Sequence, residues 1–156
     1  MQGPASAFLH RENTGTRTGV KALNLTLQRG RRWSRREETE EATMPYIKIT
    51  TNQTIHYPEE ESIKSQLGRA ISILPNKNEE WLMVSMLPEQ ALWFQGSDEP
   101  AAIAEVAIYG RLEDEACDEL TARITDILCA YLPLDPARVY VKYEECEYWG
   151  WNGRNF

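Results

Sequence analysis

The composition of the chain changes at Met44-Pro45-Tyr46-Ile47-Lys48-Ile49, where a short β-like run begins. Everything before this run looks different, so we interpret Met44 as the real beginning of the protein. Removal of Met44 would then leave Pro45 with a secondary amine at the N-terminus. Such an amine can take a proton from carbon, whereas a proline inside the chain has only an amide nitrogen and lacks this chemistry.

The first 43 residues have scattered glycine, threonine, serine and arginine and almost no hydrophobic periodicity, which is typical of a disordered segment. An arginine-rich and then glutamate-rich run closes it at residues 29–41. Three explanations compete: an early start-codon assignment, which we favour, a transit peptide, which comes second, and a regulatory tail. A secretory signal has the least support because no continuous apolar stretch of about 7–15 residues occurs here. We therefore expect an extension at 1–43 and one domain at 44–156.

Length and charge restrict the classes of partner. The chain has 156 residues, of which 42% are hydrophobic and 26% charged, which suits one globular domain with its own core. Its net charge of −7 divides into +3 for residues 1–43 and −10 for the remainder. So acidic a domain repels phosphate backbones, and no apolar run approaches the ~20 residues of a membrane span. We expect neither nucleic acid nor membrane as a partner. Cytoplasmic location is the default.

Hydrophobic patterns predict four strands and two helices. The strands are expected at residues 46–51, 81–87, 102–109 and 139–143, the second of them buried on both faces. Each helix begins at an acidic stretch, has one apolar face and ends at a proline, Pro75 or Pro133. The order strand, helix, strand therefore occurs twice.

This duplication predicts an α+β fold with a four-stranded mixed sheet and two helices on one face. The second face of such a sheet would be exposed in a monomer. Burial of that face by oligomerisation is the expected solution.

Five motifs then follow one another in order from Met44 to the C-terminus. They are Met44-Pro45, Lys77 before an apolar strand, Phe94-Gln95-Gly96-Ser97-Asp98-Glu99-Pro100, Pro136-Ala137-Arg138-Val139-Tyr140, and Gly150-Trp151-Asn152-Gly153. Together they resemble the macrophage migration inhibitory factor branch of the tautomerase superfamily. The resemblance implies a homotrimer whose three sheets wrap into a barrel, with an active site at each subunit interface.

The resemblance also implies an isomerase without a cofactor that interconverts keto and enol forms of phenylpyruvate-like α-keto acids and of dopachrome-like test substrates. Pro45 would be the catalytic base and Lys77 would bind the substrate carboxylate. Tyr140 would line the pocket from the neighbouring subunit, and Tyr109 would contribute its backbone amide. The alternative is a trimeric, cytokine-like signalling or binding protein in which the pocket is vestigial. By analogy with the family alone, secretion without a signal peptide is the alternative to a cytoplasmic location.

Three departures from the family pattern affect these expectations. Lys142 replaces an asparagine of the mammalian members, and it shares one strand face with Tyr140. A second lysine in the pocket would strengthen the preference for carboxylates and lower the pKa of Pro45 further. Ala101-Ala102-Ile103-Ala104 replaces a CxxC pair, so thiol–disulfide activity is not supported. Tyr109 replaces an isoleucine, which changes the side chain but keeps the backbone amide.

For the remaining candidate residues, a structural explanation competes with a functional role. Trp149 is assigned to the aromatic wall of the pocket, and Trp151 to packing of the C-terminal segment. The acids Glu144, Glu145 and Glu147 have no histidine nearby, so a solvated loop is favoured over a metal site. Without the resemblance, Pro45 would be an edge-strand proline and Lys77 a solvated charge in a turn.

Overall fold

The computed structural model describes residues 44–155. The extension predicted for residues 1–43 lies outside the described residues. The elements of the described part are β1 (Pro45–Thr51), α1 (Tyr57–Ala70), β2 (Met83–Leu87), β3 (Ala102–Tyr109), α2 (Asp114–Tyr131), β4 (Val139–Cys146), β5 (Gly150–Trp151) and β6 (Arg154–Asn155).

Four strands form one mixed sheet in the order β2-β1-β3-β4. The outer pairs, β1 with β2 and β3 with β4, are parallel, and the central pair β1 with β3 is antiparallel. Each parallel pair is connected by a helix, as a crossover between parallel strands requires. The predicted duplication of a βαβ unit and the mixed four-stranded sheet are confirmed.

Both helices cover the same face of the sheet. On β1 and β3 every second residue is fully or almost fully buried, as in Ile47 and Ile49 of β1 and Val106 of β3. The helices contribute the apolar stripes that pack on them, from Ile63 and Leu67 in α1 to Leu120, Ile124 and Leu128 in α2. The helical spacing is the pattern that predicted the apolar faces of the two helices.

The opposite side of the sheet has no helix on it, and we call it the open face. By the strand register it consists of Tyr46, Lys48, Thr50, Met83, Ser85, Leu87, Ile103, Glu105, Ala107, Tyr109, Tyr140, Lys142, Glu144 and Cys146. At its centre Glu105 forms ion pairs with Lys48 and with Lys142, the latter at 3.5 Å. Tyr140 and Lys142 share this face, opposite Val139, Val141 and Tyr143, as predicted.

Three details of the predicted elements are wrong. β2 is not buried on both faces, because the sheet order puts it at an edge, and its residues Met83 and Leu87 are 68% and 41% exposed. α1 ends at Ala70 and continues as a short 3₁₀ turn, Ile71–Ile73. The C-terminal segment, for which no strand is predicted, forms the β5–β6 hairpin.

Within residues 44–155 no helix has the length and apolar character needed to cross a membrane. The same residues contain no group of three or more histidine, cysteine, aspartate or glutamate side chains arranged to hold a metal ion.

Candidate functional site

Pro45 is the first residue of β1 and is buried. Across the sheet it is paired with Ile108 near the end of β3, while its neighbour Tyr46 is paired with Met83 at the start of β2. Pro45 therefore lies where the ends of three strands meet. Its nitrogen is bonded to the carbonyl carbon of Met44 in this chain and is an amide.

An open groove of about 870 Å³ lies beside Pro45. One wall is the start of β1 and the parallel strand β2, and the other is the C-terminal segment. The residues that line the groove are Met44, Pro45, Tyr46, Glu80, Trp81, Leu82, Met83, Val84, Ser85, Trp149, Gly150 and Trp151. Pro45 and Trp149, two of the predicted site residues, thus share one concave surface.

Three tryptophans give the groove its aromatic character. The rings of Trp81 and Trp151 meet edge to face, with centroids 5.3 Å apart, and Trp149 lines the same space. Trp151 packs on Trp81 of the same chain and borders the groove, whereas Trp81 is missing from the sequence-based candidates. A flat apolar group of a ligand would find aromatic surface on this side.

The hairpin that carries Trp151 depends on its turn. Asn152 and Gly153 both have positive φ angles, 51° and 80°, as a tight two-residue turn between antiparallel strands requires. The Asn-Gly pair in the motif Gly150-Trp151-Asn152-Gly153 is a strong hairpin signal, and it could have predicted β5 and β6.

Lys77 and Tyr109 are brought next to the start of β1 by hydrogen bonds. The Nζ of Lys77 donates to the backbone carbonyl of Tyr109 at 3.1 Å, and the Tyr109 amide donates to the carbonyl of Met44 at 3.3 Å. Burial lowers the pKa of the Lys77 ammonium below its ordinary value. A partly desolvated cation, linked through Tyr109 to the start of β1, is suited to binding an anionic group.

Met44 connects this pair to the groove. It is only 4% exposed, it lines the groove, and its carbonyl accepts the Tyr109 amide hydrogen. Neither Lys77 nor Tyr109 is among the groove-lining residues. In the chain as it stands, Met44 therefore occupies the space between the groove and the Tyr109 amide.

Tyr140 and Lys142 lie elsewhere in the same chain. Tyr140 is paired with Ile103, whereas Pro45 is paired with Ile108 on the same strand. Five residues of β3 separate the two positions, which corresponds to roughly 17 Å at about 3.4 Å per residue. Lys142 is paired with Glu105, three residues of β3 from Ile108, and lies on the open face, whereas Pro45 lies on the buried face of β1. One chain therefore does not bring Tyr140 or Lys142 to its own Pro45.

The motif around Arg138 holds Tyr140 in place. Arg138 donates to the carbonyls of Pro100 and Glu99 at 2.9 and 3.0 Å, and its guanidinium lies 5.3 Å from the centre of the Phe94 ring. The Phe94 ring in turn meets the Tyr140 ring edge to face at 4.9 Å. The two motifs at residues 94–100 and 136–140 thus form one unit that positions Tyr140.

The three cysteines offer no activated thiol. Cys117, Cys129 and Cys146 are free, and burial raises the pKa of each thiol. Nearby acids, such as Asp114 and Asp118 beside Cys117, act in the same direction. A thiolate nucleophile needs the opposite environment.

Comparison with known sequences identifies the family. The sequence model of the macrophage migration inhibitory factor family matches residues 44–156. The chain belongs to the macrophage migration inhibitory factor family. The motifs that carried the resemblance all fall within the matched part.

Individual proteins of this family are similar to the chain over the same part of its sequence. Macrophage migration inhibitory factor from Xenopus laevis is 26% identical over 115 residues, which cover 72% of this chain and 99% of the frog protein. The Mus musculus protein is 25% identical over 116 residues, with the same two coverages. These relatives consist almost entirely of the part that matches the folded domain.

Solved structures show the same fold. Leishmania major MIF2 superposes with a TM-score of 0.69 at 24% identity, over 73% of this chain and 98% of that protein. The Toxoplasma gondii macrophage migration inhibitory factor gives 0.66 at 18% identity, over 71% and 99%. The α+β architecture predicted from the sequence is that of these structures.

Proposed function

We propose that this chain, with Pro45 as its N-terminal residue, is a keto–enol tautomerase that acts on phenylpyruvate-like α-keto acids. The observation that supports the proposal most is the position of Pro45. It is the buried first residue of β1, it lines a groove walled by tryptophans, and it lies close to Lys77 and the Tyr109 amide. The tryptophans suit an aromatic ring of the substrate, Pro45 suits the reacting carbon, and Lys77 with the Tyr109 amide suits a carboxylate.

The reaction needs only a base and a place for negative charge. The Pro45 nitrogen would take a proton from C3 of the keto acid. The electron pair of that C–H bond would form the C2–C3 double bond, and the carbonyl pair would move to oxygen. The resulting enolate would receive the proton held on Pro45, which gives the enol and restores the free amine. Lys77 and the Tyr109 amide would stabilise the negative charge as it develops.

Burial of Pro45 suits this role. A free N-terminal amine has an ordinary pKa of about 7.7–8.0, and an apolar surrounding lowers it because the charged form loses hydration. The Lys77 ammonium nearby would act in the same direction. A larger share of the amine would therefore be unprotonated, and able to act as a base, at neutral pH.

We further propose that three copies associate through the open face and the edge of β2. Leu87 and Met83 are apolar and exposed there, and exposed apolar surface of this kind favours association. Such an assembly would also supply Tyr140 and Lys142 of one subunit to the groove of the next. In that position Lys142 would add a second positive charge near Pro45.

The assembly gives a direct prediction. The chain that begins at Pro45 is expected to show three times the subunit mass by light scattering. Leu87→Asp on β2 is expected to yield monomers, because an unpaired carboxylate would be buried in the contact. Tyr57→Asp, at a 70% exposed position of α1, serves as the matched control and should remain trimeric. A monomeric parent, or a trimer that tolerates Leu87→Asp, would refute this interface.

The tautomerase activity is tested by hydrogen–deuterium exchange at C3 of the substrate. Incubation of phenylpyruvate in deuterated buffer with the chain that begins at Pro45 should incorporate deuterium at C3 far faster than buffer alone. The enol should appear in the same samples by its ultraviolet absorbance. Exchange no faster than in buffer would leave the alternative, a trimeric binding or signalling protein with a vestigial pocket. The blocked nitrogen of Pro45 in the 156-residue chain favours that alternative for the unprocessed form.

A further inference from the structure

The turn of the β5–β6 hairpin contains a residue pair that can react with itself. Asn152 and Gly153 are exposed and have positive φ angles of 51° and 80°. The two strands that flank them have two residues each. Because a two-stranded hairpin is at best marginally stable on its own in water, this turn can leave its conformation at little cost in contacts.

The chemistry is deamidation, which needs water but no enzyme. The Gly153 backbone nitrogen attacks Asn152 Cγ, so a bond between these two atoms forms and the bond from Cγ to the side-chain nitrogen breaks. That nitrogen takes the proton of the Gly153 amide and leaves as ammonia, and a cyclic imide remains. Water then opens the ring at either carbonyl, which gives aspartate or isoaspartate. Glycine favours the first step because no side chain obstructs its nitrogen.

The other asparagines in the described part of the chain lack this combination. Four of them lie in residues 44–155, and none precedes a glycine: Asn52, Asn76, Asn78 and Asn155. Asn76 comes nearest, since it is exposed and has a positive φ angle of 59°, but the amide that follows it, on Lys77, donates to the Leu74 carbonyl at 3.2 Å. The Gly153 amide lies in the turn and belongs to no pair of the β5–β6 ladder. Asn152 is therefore expected to react first.

The two products differ in their effect on the hairpin. Aspartate keeps the length of the main chain, whereas isoaspartate places Cβ in the main chain and so lengthens the turn by an additional carbon. A two-residue turn fixes the register of its flanking strands, and here it sets Trp151 opposite Arg154. The longer turn of isoaspartate therefore breaks this pairing.

The hairpin in turn holds one wall of the groove. Trp151 meets Trp81 edge to face at 5.3 Å, and Trp149 and Gly150 line the same groove. The two strands lie so close that a Cβ on Gly150 would be 2.8 Å from Asn155 Oδ1. A hairpin that loses its register loses the contact between Trp151 and Trp81, and the groove opens toward solvent on this side.

We propose that Asn152-Gly153 is a site of spontaneous deamidation, and that isoaspartate at position 152 opens the groove by separating Trp151 from Trp81. The proposal goes beyond the tautomerase function and does not depend on it, because it concerns the turn and the two aromatic rings alone. It makes the aromatic wall of the groove sensitive to the age of the protein and to pH, since removal of a backbone amide proton is faster at higher pH.

The first part of the test locates the modification. The 156-residue chain is incubated at mildly alkaline pH, its peptides are mapped by mass spectrometry, and isoaspartate is detected by enzymatic methylation. Position 152 should be converted before any other asparagine, with isoaspartate as the main product. Asn152→Gly is the matched control, since glycine tolerates positive φ and has no side-chain amide to lose. An unmodified Asn152 in the chain, under conditions that convert a synthetic peptide of residues 149–156, would overturn the proposal.

The second part of the test measures the groove wall. Modified chains carry an additional negative charge and are separated by ion exchange, and near-ultraviolet circular dichroism then reports the contact between Trp81 and Trp151. The isoaspartate fraction should lose the part of the signal that Trp81→Phe also loses, and incubation of Trp81→Phe should cause no further loss. Asn152→Asp has the same charge without the longer turn and should keep the parent signal. A parent signal in the isoaspartate fraction, or an equal loss in freshly prepared Asn152→Asp, would contradict an effect of turn length and overturn the proposal.

Discussion

A chain that begins at Pro45 is expected to interconvert the tautomers of phenylpyruvate at least a hundredfold faster than the 156-residue chain. Only the shorter chain has an amine on Pro45, and loss of a general base typically costs about 10²–10⁴-fold in rate. Binding should suffer as well, because the Met44 carbonyl holds the Tyr109 amide at 3.3 Å in the longer chain. The measurement is kcat/KM for enol formation with both chains at equal concentration.

A chain that begins at Met44 shows whether the lower activity of the full chain comes from the blocked Pro45 nitrogen or from residues 1–43. It lacks residues 1–43 but keeps the amide at Pro45 and the Met44 carbonyl, so it should be as inactive as the full chain. Pro45→Gly in the short chain keeps an N-terminal amine but loses the proline ring, and its activity should fall well below that of the parent. Equal activity of the short and full chains would disprove a mechanism that uses the Pro45 nitrogen.

Removal of the Lys77 side chain is expected to have the second largest effect. Lys77→Ala in the short chain should lower kcat/KM for phenylpyruvate about 10- to 100-fold, since a hydrogen bond to a charged group is worth about 1.5–3 kcal/mol. The same variant should weaken binding of simple aryl carboxylates by a similar factor. Lys64→Ala, at an exposed position of α1, is the matched control and should retain parent affinity.

The pH dependence tests the same lysine independently. The ammonium form binds the carboxylate, so affinity should fall as pH rises through the pKa of Lys77. Because burial lowers that pKa, the decline should begin at a lower pH than for a solvent-exposed lysine. Lys77→Arg should remove the decline, because a guanidinium stays protonated. A decline that is identical in the parent and in Lys77→Arg would assign it to another group.

Local sequence patterns were sufficient for most of the fold. The bounds of β3 agree with the run from Ala102 to Tyr109 that ends at Gly110, and α2 follows from one apolar stripe. Both patterns depend only on neighbours along the chain. The edge position of β2 does not, since an apolar strand at an interface has the same composition as one buried between helices.

The site was harder to predict because it joins distant segments. Motifs made Pro45 and Lys77 candidate site residues, but the link from Lys77 through Tyr109 to Met44 depends on the order of the strands. Trp81 lines the groove, where the β5–β6 hairpin brings Trp151 against it. No spacing along the chain encodes such contacts, so sequence patterns alone could not identify them.

The protonation of Pro45 is the most direct test of the central claim. In the chain that begins at Pro45, made with ¹⁵N-labelled proline, only the N-terminal nitrogen can take up a proton, so an NMR titration reports its pKa alone. We expect a pKa below the ordinary value of about 7.7–8.0 for an α-amino group, because burial disfavours the charged form, and a rise in kcat/KM with pH that has the same midpoint. An ordinary pKa, or a rate profile whose midpoint differs from that of the Pro45 nitrogen, would contradict its role as the catalytic base.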